Sequence, residues 1–458
     1  MTYSTGTQIG SHLRSRFRGT VWQVGDDGYD GARRVWNGAV DHRPTVVARC
    51  LDGDDVRTAL LVAREHGIPL SVRGGGHDWA GRAIRDGGLV LDLSAMRRVR
   101  VNPRGAVAEA DGGAIIAGLV DAAALHGLVT PTGVVRDVGM AGLTMAGGYG
   151  GLIGSFGLAL DNLISADVVL ANGESVTAGP DSDPELLWAL RGGGGNFGVV
   201  TSARYRLHPL ELVIGGMVIY PFDQARQVLQ GYREILASAP DELTVMAGFL
   251  TGPTGQPAVF VAPTWSGDLV AGQDVVAPLR RLGTPLVDGV APMPYPELLR
   301  MFDAGIVEGH RYALTTRWLA ELSDEAVTAL AAGAATGSSP FSLLALHHFH
   351  GAAARVAPDA TAFALRRDHL LVEMIAAWPP GPEGEDPAVT AAPHLEWAAE
   401  ISTALAAEAL PGGYPNILGP QEADRTKLGY AGNTERLLAA KERYDPDGVF
   451  TAIGAITR

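Results

Sequence analysis

The sequence predicts an α+β protein of two domains, and three observations predict it. Strand-like and helix-like runs alternate through residues 46–207. Near His208-Pro209 the texture changes to longer runs that read as an antiparallel sheet with helices on one side. Beyond Pro411 the chain reverts to turn residues and aromatics. A chain of 458 residues is also too long for one simple core. The simplest architecture is a first domain, 1–207, completed by the tail 411–458, with a second domain, 208–410, inserted between them.

Each element follows from local pattern. Val46–Cys50 reads as a strand. Asp52 is placed to cap a helix running to His66, with Val56, Leu60 and Ala63 on one face and Gly67 as its stop. Ile68–Arg73, Gly88–Leu93 and Ala106–Ala110 read as strands, and Ala114–His126 as a helix closed by Gly127. Such alternation means βαβ packing with covered strands. Asn172-Gly173, between Ile164–Leu170 and Glu174–Ala178, is a hairpin signal. Pro184–Leu190 reads as a short helix and Gly198–Leu207 as an alternating strand. In the middle of the chain 214–220, 244–250, 342–350 and 370–378 read as strands. There 223–237, 324–332 and 394–406 read as helices, and 378–386 as a solvated loop. The tail ends in a helix, Thr434–Tyr444.

Composition narrows the function classes. A formal net charge of −14 argues against nucleic acid or an anionic membrane as partner. Cys50 is the only cysteine, which excludes an internal disulfide and a cysteine-based metal cluster. Among Val46, Val47 and Leu51 it reads as a buried strand thiol. No stretch reaches about 18 clean apolar residues, and the polar segment Met1–Ser15 does not read as a signal peptide. The expectation is a cytoplasmic enzyme, and oligomeric state leaves no trace.

The sixty glycines cluster rather than scatter. In Ser71-Val72-Arg73-Gly74-Gly75-Gly76-His77 an apolar strand runs into three glycines and then a histidine. Bare backbone amides on such a loop can cup a pyrophosphate. Further clusters lie at 139–151 and 192–198. Three amide nests on one domain suit a ligand with two phosphates and a long extended body. Gly193-Gly194-Gly195-Asn196-Phe197-Gly198 matches G-x-G-x-x-G, but it follows a helix and precedes a strand, the reverse of a dinucleotide turn, so NAD is rejected there. No G-x-x-x-x-G-K-[ST] or H-E-x-x-H occurs, and Ile153 breaks a G-x-S-x-G elbow around Ser155. A lone histidine such as His77 after glycines is more often a turn residue or hydrogen-bond donor than a covalent anchor.

Val72-Arg73-Gly74-Gly75-Gly76-His77-Asp78, followed by Asp86-Gly87-Gly88-Leu89-Val90-Leu91-Asp92, resembles the FAD-binding half of the vanillyl-alcohol-oxidase (PCMH-type) superfamily. More closely it resembles the berberine-bridge-enzyme-like oxidases. Pro131-Thr132-Gly133-Val134-Val135 through Gly147-Gly148-Tyr149-Gly150 agrees in order and spacing. So do Arg191–Val200, Tyr414-Pro415-Asn416 and Tyr444-Asp445-Pro446-Asp447-Gly448-Val449-Phe450. The middle, 208–410, matches only in texture.

The resemblance implies a two-subdomain FAD-binding domain with an inserted substrate domain. It implies FAD bound covalently through His77 at the 8α-methyl carbon, where a neutral imidazole can add. Many relatives carry a second, cysteinyl link, but here that place holds Val135, so a single link is expected. By resemblance, Arg73, Gly74, Gly75, Gly76, His77 and Asp78 hold the pyrophosphate and the ring edge. Thr132, Gly133, Gly139, Gly142, Thr144, Gly147 and Gly148 line the isoalloxazine and phosphates, and Asn162 is a further contact. Gly198 and Val199 flank the adenine, and Asn416 reaches the flavin from the tail. Val138, a small side chain before Gly139, governs oxygen access and suggests an oxidase.

Oxidation by flavin needs a C–H bond aimed at the ring and a base for the neighbouring O–H or N–H. Tyr414 is the first candidate base, if its phenol is lowered from about 10; otherwise it is a wall against the cofactor. Glu373, in an apolar strand, is either an edge residue or a base with a raised pKa. His348 and His350 share a strand face, with His347 on the other. They read as pocket-lining groups or structural polar residues; as metal ligands they lack a carboxylate partner. His310, Tyr312 and Arg317 are weaker candidates. The expected function is FAD-dependent oxidation of a small organic substrate beside a hydroxyl or amine, with O2 giving H2O2. A flavin-dependent oxygenase or oxidative cyclase, and a non-catalytic flavin carrier, are the alternatives.

Overall fold

The structure, a computed structural model, describes residues 2–382, 384–453 and 456. Glu383 of the expected 378–386 loop and residues 454, 455, 457 and 458 of the tail lie outside the described residues.

The first sheet has four strands in the order Thr20–Gln23, Val46–Arg49, Leu89–Asp92, Leu70–Arg73. The last three run parallel and the first antiparallel. Helix Gly53–Glu65 makes the crossover. The Asp52 carboxylate accepts from the N–H groups of Asp54 and Asp55, which caps its start. Val56, Ala59, Leu60 and Ala63 then pack on Val46, Ala48, Leu89 and Leu91. Helix Thr2–Arg14 adds Ile9 and Leu13 to the same core.

The second sheet has five antiparallel strands in the order Val99–Asn102, Val107–Asp111, Val199–Arg206, Leu163–Val169, Ser175–Ala178. The βαβ expectation therefore holds for the first sheet and fails here. Tight turns at 103–106 and at Asn172-Gly173 join two neighbouring pairs directly, and helices lie only on the longer connections, 112–162 and 179–198, between strands that are not neighbours.

The third sheet has nine strands, antiparallel throughout. Its main path runs Val287–Asp288, Val218–Pro221, Pro257–Trp265, Leu243–Thr251, Leu343–Phe349, His369–Trp378, Arg311–Leu319. The stretch expected as one strand over 214–220 is two, Val213–Gly215 and Val218–Pro221. Gly216 breaks it: its φ is +139°, and a Cβ there would lie 2.3 Å from the Gly289 carbonyl oxygen. Helices Ala225–Leu236, Asp324–Ala335 and Pro387–Ala404 cover one face through Val228, Leu330, Trp397 and Ile401. The last begins earlier than 394 because Asp386 caps it at Ala388. The tail helix Thr434–Tyr444 packs Leu437, Ala440 and Tyr444 against Leu186, Leu187 and Trp188. Among the described residues, no helix is long and apolar enough to cross a membrane.

Candidate active site

The face of the third sheet that carries no helices meets the glycine loops of the first two sheets around a cavity of about 350 Å³. One wall is the loop after strand Leu70–Arg73. There Gly76 adopts φ +75°, a left-handed conformation that suits glycine. Gly75 crosses Gly139 so closely that a Cβ on Gly75 would lie 2.2 Å from Gly139 N, and one on Gly139 2.4 Å from Gly75 N. Only bare backbone at both positions lets the two loops touch. A Cβ on Gly142 would meet nothing within 4 Å, because that backbone opens onto the cavity. Gly194, Gly195 and Gly198 and the tail residues Asn416, Ile417 and Phe450 complete the enclosure.

His77 lies on this cavity, its ring stacked on Trp36 with centroids 5.0 Å apart and planes 19° apart. Burial lowers its pKa to about 4, against the opposing pull of Asp137, so the imidazole is neutral at ordinary pH. On the sheet wall Glu373 Oε2 sits 3.3 Å from His347 Nε2, and both residues line the cavity. Tyr414 and Tyr149 stand beside each other, ring centroids 5.1 Å apart. Tyr414 Oη accepts the Gly148 N–H at 3.0 Å, and Tyr149 Oη pairs with His369 Nε2 at 3.0 Å. Burial raises both phenols.

Two guanidiniums reach the same space. Arg82 grips Asp78 with two bonds of 2.9 Å, and Arg85 bonds the Thr451 hydroxyl. The buried Ser71 hydroxyl, which lines the cavity, has no hydrogen-bond partner among the described residues. Bare amides from three glycine clusters, two cations, an orphaned hydroxyl and a neutral imidazole fit a dinucleotide with two phosphates and a ring to be met at its edge. Among the described residues no group of three or more His, Cys, Asp or Glu is arranged to hold a metal ion.

Comparison with known proteins agrees with this donor set. An FAD binding domain family matches residues 44–179, and a family described as berberine and berberine like matches residues 413–456. The chain thus carries an FAD binding domain followed by a berberine-like segment, and it resembles FAD-linked oxidoreductases. The (R)-6-hydroxynicotine oxidase of Paenarthrobacter nicotinovorans is 34% identical over 287 residues, which are 62% of this chain and 63% of that one. The crystal structure of 6-hydroxy-D-nicotine oxidase from Arthrobacter nicotinovorans superposes with a TM-score of 0.86 at 28% identity, covering 96% of this chain and 98% of that one. Physcomitrella patens BBE-like 1 shares the fold, with a TM-score of 0.85 at 21% identity over 98% of this chain and 100% of that one.

Set against this berberine-bridge-like frame, the residues expected from the sequence divide. Gly74, Gly75, Gly76, His77, Asp78, Gly133, Val138, Gly139, Gly142, Gly198, Val199, Asn416, Tyr414 and Glu373 line the cavity. Eight others do not. Arg73 points the other way, donating to Asp92 and to the carbonyls of Ala32 and Arg34. Thr132 donates to the Gly133 carbonyl, and Thr144 to the Tyr205 hydroxyl. Gly147 and Gly148 lie beneath Tyr414; a Cβ on Gly147 would come 2.9 Å from its hydroxyl. The Asn162 amide ties the carbonyls of Phe156 and Leu158, a structural task.

His348 and His350 are also corrected. They do stack on each other, 3.8 Å apart, but on the wrong side of the strand. His348 borders a separate cavity of about 30 Å³, and His350 bonds Thr244 Oγ1. Strand alternation puts His347, not His348, beside Glu373. Burial raises the Tyr414 phenol, and among the described residues no cation is seen to lower it, which is the condition the role of base requires. Of the weaker candidates only Tyr312 lines the cavity; His310 packs on Phe341, and Arg317 bonds Ser402. Trp36, Arg82 and Arg85 carried no local signal. Val135 lines the cavity, while Cys50 is buried in the first-sheet core.

Proposed function

We propose that this chain is an FAD-dependent oxidase whose cofactor is tethered by one bond, through His77. It removes hydride from a C–H beside a hydroxyl or amine of a small organic substrate, with O2 as acceptor and H2O2 as product. The observation that carries the reading is that a neutral imidazole and a carboxylate, His77 and Glu373, open onto one cavity. When bound, FAD supplies the two-electron acceptor for the hydride and passes the electrons to O2.

The residues of the chain do the rest. Gly74 to Gly76 and Gly139 offer backbone to the phosphates, with Arg82 and Arg85 as counter-charge. Glu373 takes the hydroxyl or amine proton on a carboxylate oxygen, and His347 Nε2 steadies that carboxylate at 3.3 Å. Tyr149 and Tyr414 wall the site with buried aromatic faces and exclude water. Tyr312, Leu314, Ile306 and Ile375 line it with apolar surface, which suits a compact, ring-bearing substrate over a polar chain. The likeness to 6-hydroxynicotine oxidase, in sequence and in crystal structure, supports a small substrate. Val138 on the cavity wall, small and unbranched beyond Cβ, leaves O2 a path to it.

The test is direct. Acid-precipitated wild-type protein is expected to be yellow and fluorescent, and His77→Ala to give a colourless precipitate with any flavin left in the supernatant. A colourless wild-type precipitate defeats the tether. Absence of any dinucleotide from the native protein defeats the whole reading.

A further inference from the structure

We propose that Trp36 is the positioning residue that orients the His77 imidazole for attachment, and that attachment thereby depends on the docked 307–312 segment of the substrate sheet. The inference rests on the reading of His77 as the tether. It concerns how this chain presents the imidazole, on which no motif bears.

Among the described residues, no hydrogen bond holds either ring nitrogen of His77. Its plane is set by the face of Trp36, 5.0 Å away and 19° from parallel. That is the useful way to hold a nucleophile. A neutral imidazole has one N–H and one lone pair, both in the ring plane. A hydrogen bond would fix the ring by occupying one of them. A stacked face fixes the plane and leaves both edges open to the cavity.

Trp36 is in turn held from two sides. Its backbone N–H donates to the Gly76 carbonyl at 3.3 Å, within the triglycine loop. Its carbonyl accepts from Gly309 N at 3.0 Å, and next to it Gly38 N donates to the His310 carbonyl at 2.8 Å. Its ring stacks on Tyr312, centroids 3.9 Å apart and planes 25° apart. The Asn37 side chain takes the Tyr312 N–H and returns a bond to the Tyr312 carbonyl, both 2.9 Å. The Tyr312 hydroxyl bonds both backbone groups of Val307 at 2.9 Å. The Trp36 indole N–H is buried without a partner among the described residues, so the ring's contribution is its face, not its polar edge.

The step it prepares forms a C–N bond from an imidazole nitrogen to the 8α carbon. The imidazole N–H and one 8α C–H are broken. Their two protons, with two electrons, pass to O2 and give one H2O2 for each chain tethered. The nitrogen must approach that carbon along its lone pair, and small misplacements cost rate steeply.

The experiment uses the full chain made in flavin-starved cells, then incubated with FAD in air, with acid-stable yellow protein followed over time. Wild type, Trp36→Phe, Trp36→Leu and Trp36→Ala are compared, with melting temperature and total bound flavin measured alongside. Trp36→Ala and Trp36→Leu are expected to tether about 10-fold or more slowly while still binding FAD. Trp36→Phe, which keeps a flat face, is expected to recover most of the rate. The Leu and Phe variants fill the site, so their comparison stands even where Trp36→Ala fails to fold. A wild-type rate in Trp36→Leu, or a Phe variant as slow as the Leu one, overturns the inference. If wild type itself gains no acid-stable flavin, the reading of His77 as tether falls instead.

Discussion

Glu373 and His347 sit diagonally on neighbouring strands, Ala345 being the residue directly opposite Glu373. That places their side chains on one face, at 3.3 Å. If Glu373 is the base, Glu373→Gln keeps the shape and loses proton acceptance. kcat/KM for H2O2 formation should then fall by roughly 10²–10⁴-fold, with flavin content unchanged. Turnover within a few-fold of wild type would remove Glu373 from the mechanism. At this scale the sequence was legible where chemistry is local. Three glycines before His77 announce a ligand loop, and a carboxylate among Leu371, Val372, Met374 and Ile375 announces an exception to its strand. It was illegible where meaning comes from across the fold. Nothing near residues 347–350 says which strand face meets the cavity, so the parity went to His348 and His350. Trp36 meets His77 and Tyr312 only once distant loops are bonded together.

The tail is the element whose role depends most on one side chain. Lys441 Nζ, buried, donates to Asp445, to the Phe450 carbonyl and, at 2.8 Å, to the Asn196 carbonyl. Asn196 Oδ1 in turn accepts from Ile453 N at 3.1 Å. Both bonded segments, 194–198 and 450–453, contribute residues to the cavity. The cation therefore clamps the third glycine cluster to the chain's end. Lys441→Met leaves the Asp445 carboxylate buried without its ion-pair partner, a loss of about 3–5 kcal/mol. The variant should melt at markedly lower temperature and release any untethered FAD more readily. A melting temperature equal to wild type would show the clamp to be dispensable. Helices Pro184–Leu190 and Thr434–Tyr444 were readable to the residue, because each has its own stop and start signals. Strands Pro257–Trp265 and Arg311–Leu319 were not seen. The first is central and buried on both faces, and the second, though last in its sheet, has no exposed residue, so neither shows the period-2 alternation of a half-exposed strand.

The whole molecule carries its burial into its response to acid. The α+β class was legible from the change of texture near His208, and the return of the tail from its composition. The second sheet was misread because its strands pair antiparallel throughout, two neighbouring pairs through tight turns. What no sequence pattern shows is how many histidines the assembled cores keep neutral. Burial lowers His77, His208 and His350 to about 4 and His369 to about 3, from an ordinary value of 6.5. His348 and His394 move the same way. The unfolded chain therefore binds more protons than the native one between pH 6.5 and 4, and stability rises with pH across that interval. Put the other way, these groups stabilise the fold fully above 6.5, and that contribution drains away as pH falls toward 4. Carboxylates such as Asp92, held below its usual 3.8 by Arg73 and Arg49 against the cost of burial, lose their contribution only at lower pH still. The urea midpoint of the His77→Ala protein, which can carry no ring on residue 77, should stay level from pH 8 to about 6.5 and then decline steadily to pH 4. A midpoint that holds level down to pH 4 and drops only beneath it would mean that carboxylates alone govern acid unfolding, and that the buried histidines are not neutral in the fold.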